Sequence, residues 1–307
     1  MGSFFYMVFT SKKIFSIVDP IDGFSILIPT WNNFQYLRLC LNAIIKYSSL
    51  KHQIILAINE GYDGTLEFAD ERQISYVHFK ENVGVCIAVN AARSLAVSDY
   101  LVYMNDDMVP LPGWDLALME EVRKSDSKLF MISSTMIEPY ETNNPCVIVQ
   151  NFGSDCKNFD ENAALLFAKK YSKNNWKGAS WPPFVVHKDV WDIVGGFGIE
   201  YSPGFYSDPD FSLKLYLIGV RHFIGCGKSL VYHFGTKSTK RVKKNNGKDL
   251  FLLKWGITAS DFYFNILNLG DDFETEKNQS QINLFFKIKY FIKSFKALLN
   301  RPIKLIK

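Results

Sequence analysis

The sequence predicts an α/β fold with a mostly parallel, doubly wound central sheet and helices toward the carboxyl end. Three observations carry that expectation. Short apolar runs recur about every 25 residues through the first hundred positions, and helical spacing separates each from the next. Each run stops at a polar cluster of Asn, Asp, Thr or Gly, as parallel strands do where they open onto a ligand crevice. The 307 residues can bury a large core, as one domain or one domain with appendages.

Residues 1–22 form a lead-in with no clear element. Phe24 to Pro29 (FSILIP) reads as the first buried strand, stopped by Pro29, with a polar turn at Thr30 to Asn33. Phe34 to Tyr47 has Leu37, Leu41, Ile44 and Ile45 at helical spacing. Gln53 to Ile58 is the second strand, closing on Asn59-Glu60-Gly61, and Asp63-Gly64-Thr65 turns into a helix. Ile74 to Phe79 is the third strand, Asn82-Val83-Gly84 opens a helix to about Val97, and Tyr100 to Met104 is the fourth strand. Such a β-α-β-α-β-α-β series implies right-handed crossovers in one parallel sheet. A helix at Trp114 to Lys124 and a strand at Phe130 to Met136 follow, and the alternation then weakens. Shorter strands are expected at Val147 to Phe152, Phe184 to His187, Arg221 to Ile224 and Leu230 to His233. Helices are expected at Lys188 to Val194, Asp208 to Ile218 and Leu250 to Leu267, with a basic loop at Lys237 to Lys248.

A net charge of +4 is too mild to argue for nucleic acid. Five scattered cysteines with no CxxC pair suggest reduced thiols and a cytoplasmic compartment. The apolar run Phe4 to Phe9 is too short for a secretory signal, and no stretch of about 18 apolar residues suggests a membrane span.

The stretch YLVYMNDDMVPLPGW, Tyr100 to Trp114, carries the clearest chemical signal. An apolar strand ends abruptly in Asn105-Asp106-Asp107, placing two carboxylates at the carboxyl end of a central strand. Adjacent carboxylates repel, so a cation eases their ionisation, and hard oxygen ligands suit Mg²⁺ or Mn²⁺ shared with substrate phosphates. A polar strand-to-helix turn is the plainer reading. Neither a G-x-G-x-x-G nor a Walker A pattern follows any strand, which argues against dinucleotide enzymes and P-loop NTPases. A diphosphate would then be held through a metal on Asp107, which points to a nucleotide sugar or a similar activated donor.

Six motifs in register resemble the family 2 glycosyltransferases of the GT-A fold, over roughly residues 24 to 235. Ser25 to Asn32 (SILIPTWN) resembles "SIIIPTYN", and Asn59 to Thr65 (NEGYDGT) resembles "DNGSTDGT". Asn82-Val83-Gly84 with Asn90 resembles the "N-x-G" helix start, and Asn105-Asp106-Asp107 resembles the metal-binding "DxD". Gly195-Gly196-Phe197 followed by Ser207-Asp208-Pro209-Asp210 resembles "GGFDE…GEDxD", and His233 resembles the late histidine of the metal site. The chain departs from the pattern at Ile58, Asn105, Gly198 and Ser207.

The resemblance implies a Rossmann-like nucleotide-diphospho-sugar transferase fold and an inverting, metal-dependent transfer. Asp208 is the implied base, with a helix N-cap as its plainer role. Asp107 and His233 are the implied ligands of Mn²⁺ or Mg²⁺, although a lone histidine is more often structural. Pro29, Thr30, Asn59, Glu60, Asn82, Asn105 and Asp106 are the implied donor contacts. Trp181 is offered as an acceptor-stacking ring or a packing residue, and Asp210 as an acceptor contact or a support for its helix. The donor is a nucleoside diphosphate sugar, a UDP-sugar first. The acceptor is a saccharide or lipid-linked, in surface glycan synthesis, and no nucleic acid is expected. A catalytic domain at 23–240 divides into a nucleotide-binding half (23–113) and an acceptor-binding half (114–240). The basic loop and carboxyl-terminal helices follow at 241–270, and a linker with a basic tail at 271–307.

The tail has its own pattern. Residues 281–307 hold seven Lys or Arg and no Asp or Glu. On a helix, Leu284, Phe285, Ile288, Phe291, Ile292, Phe295, Leu298 and Leu299 share one face, while Lys289, Lys293 and Lys296 share another. That pattern suits a peripheral anchor on an anionic membrane surface, or a helix packed on the domain with its basic face in water. Two other readings of the chain are a sugar-1-phosphate nucleotidyltransferase and a glycan-binding module without catalysis. The first lacks its Gly-rich, basic signature after the first strand; loss of Asp107 or Asp208 would have favoured the second, and both are present.

Overall fold

The structure, a computed structural model, describes residues 11–13, 15, 21–142, 144–171, 173–235, 241, 245–273, 290 and 293. Four strands build the first half: β2 (Ser25–Trp31), β3 (Gln53–Asn59), β4 (Ser75–Phe79) and β5 (Tyr100–Tyr103). They lie parallel in the order β4-β3-β2-β5, joined through α1 (Phe34–Tyr47), α2 (Thr65–Glu71) and α3 (Gly84–Arg93). The chain winds outward from β2 to β3 and β4, then returns to the other side for β5. The crevice at the carboxyl ends of β2 and β5 is therefore a topological switch point. A short strand β1 (Ser11–Lys13) adds antiparallel to β4 at the edge.

The second half departs from a purely parallel sheet. β10 (Phe184–His187) runs antiparallel between β5 and β7 (Phe130–Glu138). β7 then pairs parallel with β11 (His222–His233), and β6 (Met108–Pro110) closes the far edge antiparallel to β11. The two strands expected at 221–224 and 230–233 are one strand, with its register shifted between Cys226 and Leu230. Of the strand expected at 147–152 only Ile148–Val149 (β8) pairs. β6, β9 (Trp176–Lys177) and α5 (Glu161–Lys170) give little sequence signal: two are very short, and α5 buries only Ala164.

Helices cover both faces, as a doubly wound sheet requires. The pleat sends alternate residues to opposite sides. Leu27, Ile55 and Ala57 join one core cluster with Cys86 and Val89 of α3, while Ile26, Ile28, Leu56 and Ile58 join another with Leu37, Leu41 and Ile44 of α1. α4 (Trp114–Arg123) packs on the α1 side, and α6 (Lys188–Ile193) and α7 (Ser207–Leu217) on the α3 side. Phe184, Trp191, Phe197 and Phe211 form a buried aromatic group under α7, with ring centroids 4.8–6.4 Å apart. Each such ring removed from water contributes about 1.5–3 kcal/mol, so this group anchors the helix that begins at Ser207.

The single helix expected over 250–267 is broken. α8 (Gly247–Trp255) ends where Gly256 adopts φ +68, and α9 (Ala259–Asp261) and a π-turn at Phe262–Ile266 follow. Phe251, Ile257, Phe262 and Leu267 belong to the α3-side core, so this segment packs with the sheet domain. Residues 237–240 and 242–244 of the expected basic loop, and most of the expected tail, lie outside the described residues.

Candidate functional site

The switch point opens into a cavity of about 330 Å³. Pro29, Thr30 and Trp31 of β2 and Asn59 of β3 line one side, with Asn82 and Gly84 from the turn before α3. Asn105, Asp106 and Asp107 follow β5, and His233 ends β11. Pro203 to Asp208, the loop leading into α7, completes the lining. Residues far apart in sequence thus converge because their strands all end at one edge of the sheet.

Asp106 and Asp107 are each 5% exposed. Asp106 accepts a hydrogen bond from Asn33 Nδ2 at 3.0 Å. Burial, and then the charge of Asp107, push its pKa up, against the opposing pull of Asn33 and Arg241. Such a pair gains from a neighbouring cation.

His233 stands beside it. Its Nε2 lies 3.3 Å from Asp107 Oδ1, and its Nδ1 lies 2.6 Å from Glu138 Oε1 at the end of β7. Burial alone disfavours the charged ring, but Asp107 and Glu138 outweigh it and raise the pKa to about 10. A carboxylate on one ring nitrogen, with the other aimed at a second carboxylate, is how metal-ligating histidines are oriented. One carboxylate and one imidazole fit Mn²⁺ or Mg²⁺, which complete their shells with phosphate and water oxygens. Among the described residues no group of three or more His, Cys, Asp or Glu forms a metal centre of its own.

Asp208 lies in the first turn of α7, half-buried in the lining of the same cavity. Burial raises its pKa to about 7. A carboxylate poised near neutrality suits proton abstraction. It does not serve as the N-cap: that position is Tyr206, and no side chain caps the helix there. Tyr206 holds φ +72, a left-handed conformation costly for a bulky residue.

Asn59 and Asn82 both spend their oxygens on the turn before α3, accepting from Val83 N at 3.0 Å and Gly84 N at 2.9 Å. Each therefore offers the cavity an NH₂ donor. Gly84 is required there: at φ +79, an added Cβ would lie 2.7 Å from Pro203 Cα.

Three expected site residues lie off the cavity lining. Glu60 accepts from Asn32 Nδ2 at 2.7 Å and ties the β2 and β3 turns together. Trp181 stacks on Trp176 at 5.3 Å and packs beside Ala179 and Cys146, the packing position that was the plainer of its two expected roles. Asp210 is fully buried, accepting from Lys254 Nζ at 2.7 Å and Trp255 Nε1 at 2.9 Å. These bonds tie α8 to α7. Sequence reasoning missed Glu138, whose signal is a carboxylate closing a nine-residue strand that is buried throughout. It also passed over Asn33 and Trp31. Arg241, the one arginine among the lysines of the basic loop, donates to the carbonyls of Trp31 (2.7 Å) and Asn32 (3.3 Å) and lies over the Trp31 ring.

The sequence model of "Glycosyl transferase family 2" matches residues 25–178, half of the chain. Chondroitin synthase of Escherichia coli is 26% identical over 113 residues, which is 35% of this chain and only 16% of that protein. Among solved structures, the fold resembles S. aureus TarS 1-349 in complex with UDP-GlcNAc (TM-score 0.50, 13% identity, 75% of this chain and 65% of that one). It also resembles GalNAc-T7 with UDP, GalNAc and Mn²⁺ (TM-score 0.54, 12% identity, 91% and 56%). At these identities the structural likeness concerns the fold: a mixed sheet of mostly parallel strands flanked by helices.

Proposed function

This chain belongs to glycosyl transferase family 2, and on that footing we propose that it moves a sugar, with inversion, from a nucleoside diphosphate sugar to a hydroxyl of a saccharide or lipid-linked acceptor. The observation that carries the reading is that Asp107, with His233 beside it, and Asp208 line one cavity. Asp208 takes the proton of the acceptor hydroxyl while that oxygen attacks the anomeric carbon. The bond from that carbon to the diphosphate oxygen breaks, and the leaving oxygen keeps the electron pair. Asp107 and His233 would hold Mn²⁺ or Mg²⁺, which supplies positive charge to the departing diphosphate. Asn59 and Asn82 donate hydrogen bonds to the nucleoside end, and Pro29 and Thr30 shape that wall. Uridine is the first base to try, since TarS and GalNAc-T7 were solved with UDP-GlcNAc and UDP. Work at an anionic membrane face through residues 281–307 belongs to the same proposal.

The test is release of nucleoside diphosphate from a panel of nucleotide sugars, with Mn²⁺, Mg²⁺ or EDTA. Metal-dependent release from one donor supports the reading. Turnover undiminished in EDTA removes the metal, and no turnover with any donor removes the transfer. NMR of the first product decides inversion, since a retained anomeric configuration contradicts the role given to Asp208.

A further inference from the structure

We propose that Asn245 is a positioning residue for the transfer: it fixes the loop that delivers Asp208, without touching the cavity itself. The proposal rests on the glycosyl-transfer reading above. Asn245 Nδ2 donates to the carbonyls of Tyr201 (2.7 Å), Ser202 (3.3 Å) and Phe205 (3.4 Å). Its Oδ1 accepts from Gly247 N at 3.0 Å. One side-chain amide thereby ties the 201–205 loop to the first turn of α8. Only an amide of this reach offers two N–H groups and an acceptor together.

The packing around that tie is close. A Cβ on Gly247 would lie 2.5 Å from the Phe205 carbonyl oxygen and 3.1 Å from Tyr206 Cβ, so α8 begins directly on the loop backbone. The rings of Tyr206 and Phe251 meet with centroids 6.1 Å apart. From the other side Val85 N donates to the Pro203 carbonyl at 3.0 Å. The loop is thus held between the starts of α3 and α8. It ends in Tyr206, whose left-handed backbone persists only where the surroundings over-determine it. Two residues later stands Asp208. A proton acceptor displaced by an ångström loses most of its effect, so the tie bears on turnover and hardly on donor affinity.

The experiment uses the full chain with Asn245→Ala and Asn245→Asp; the second keeps an acceptor for Gly247 N and removes the three donated bonds. Steady-state kinetics, donor titration and hydrogen exchange are read together. We expect kcat to fall roughly 100-fold with donor affinity at the wild-type level, and faster exchange confined to peptides covering 201–210. Wild-type kcat in either variant overturns the proposal, as does a loss shared equally by donor affinity and by exchange across β2 and β3. If the alanine variant does not fold, Asn245→Ser, which keeps one donor, takes its place under the same criteria. If the wild type consumes no nucleotide sugar, the transfer reading has failed, and the exchange arm alone decides whether Asn245 fixes the loop.

Discussion

At the scale of single residues, the two halves of the site answer to different tests. Asp208→Asn should abolish turnover while leaving donor affinity near wild type, because its carboxylate is needed only where a proton moves. Its pKa is raised to about 7 by burial, which fixes the sign of the pH dependence. The base must be ionised, so kcat should rise with pH through about 7 and fall away below it. A raised carboxylate pKa also means that ionisation costs the fold something. The amide variant should therefore melt no lower than wild type at pH 8, separating loss of chemistry from loss of fold. A flat pH–rate profile between 5 and 8 would remove Asp208 from this role. At the other carboxylate, Asp107→Ala should eliminate metal-stimulated donor binding. Glu138→Gln should weaken metal affinity about 10–100-fold, since it only orients His233; calorimetric titration of Mn²⁺ with UDP present checks both. Much of this was legible in the sequence, because strand ends are where apolar runs stop and Asn105-Asp106-Asp107 and His233 each close one. Glu138 was not, because nothing local says which side chain will lie 2.6 Å from His233 Nδ1, 95 residues on. The partners of Asp210 were hidden for a related reason: Lys254 and Trp255 reach it from α8, and only the fold shows that contact.

At the scale of elements, the parallel half could be read in order because each βα unit repeats one local pattern, an apolar strand and then an amphipathic helix. The second half resisted because β10 enters the sheet between two strands that precede it in the chain, by a long-range antiparallel pairing with no local signature. What it adds for function is the part of the cavity lining that carries Asp208. The turn before α3 and the 202–206 loop touch there, and Gly84 is the point of contact. Gly84→Ala adds a methyl group 2.7 Å from Pro203 Cα at a φ of +79. The backbone term alone costs about 1–2 kcal/mol, and the clash must push the loop away from α3. We expect a lowered melting temperature and a larger fall in kcat than in donor affinity. A variant with wild-type melting and kcat would show that the contact yields without moving Asp208. Gly113, with no atom within 4 Å of an added Cβ but a similar φ of +81, supplies the control for backbone strain without a clash.

At the scale of the whole molecule, the open matter is how the enzyme meets its acceptor. Among the described residues no helix is long and apolar enough to cross a membrane, and the basic tail is the candidate contact with lipid. Two residues within it are described. Tyr290 is 6% exposed and belongs to the α3-side core, and Lys293 is half-buried. The tail therefore cannot be removed whole as an inert appendage, because deleting 281–307 takes a buried ring from the core, a loss of about 3–5 kcal/mol. That truncation should lower the melting temperature whether or not lipid is bound. A cut after Lys293 spares Tyr290 and still removes Lys296, Arg301, Lys304 and Lys307. Each basic residue near an anionic surface contributes about 1 kcal/mol, so four of them should account for a large, salt-sensitive share of vesicle binding. The 1–293 chain should keep wild-type melting and transfer to a soluble acceptor, yet lose sedimentation with phosphatidylserine vesicles at moderate salt. Undiminished sedimentation would place the lipid contact elsewhere, and no sedimentation of the intact chain would leave the basic face as a solvated helix surface.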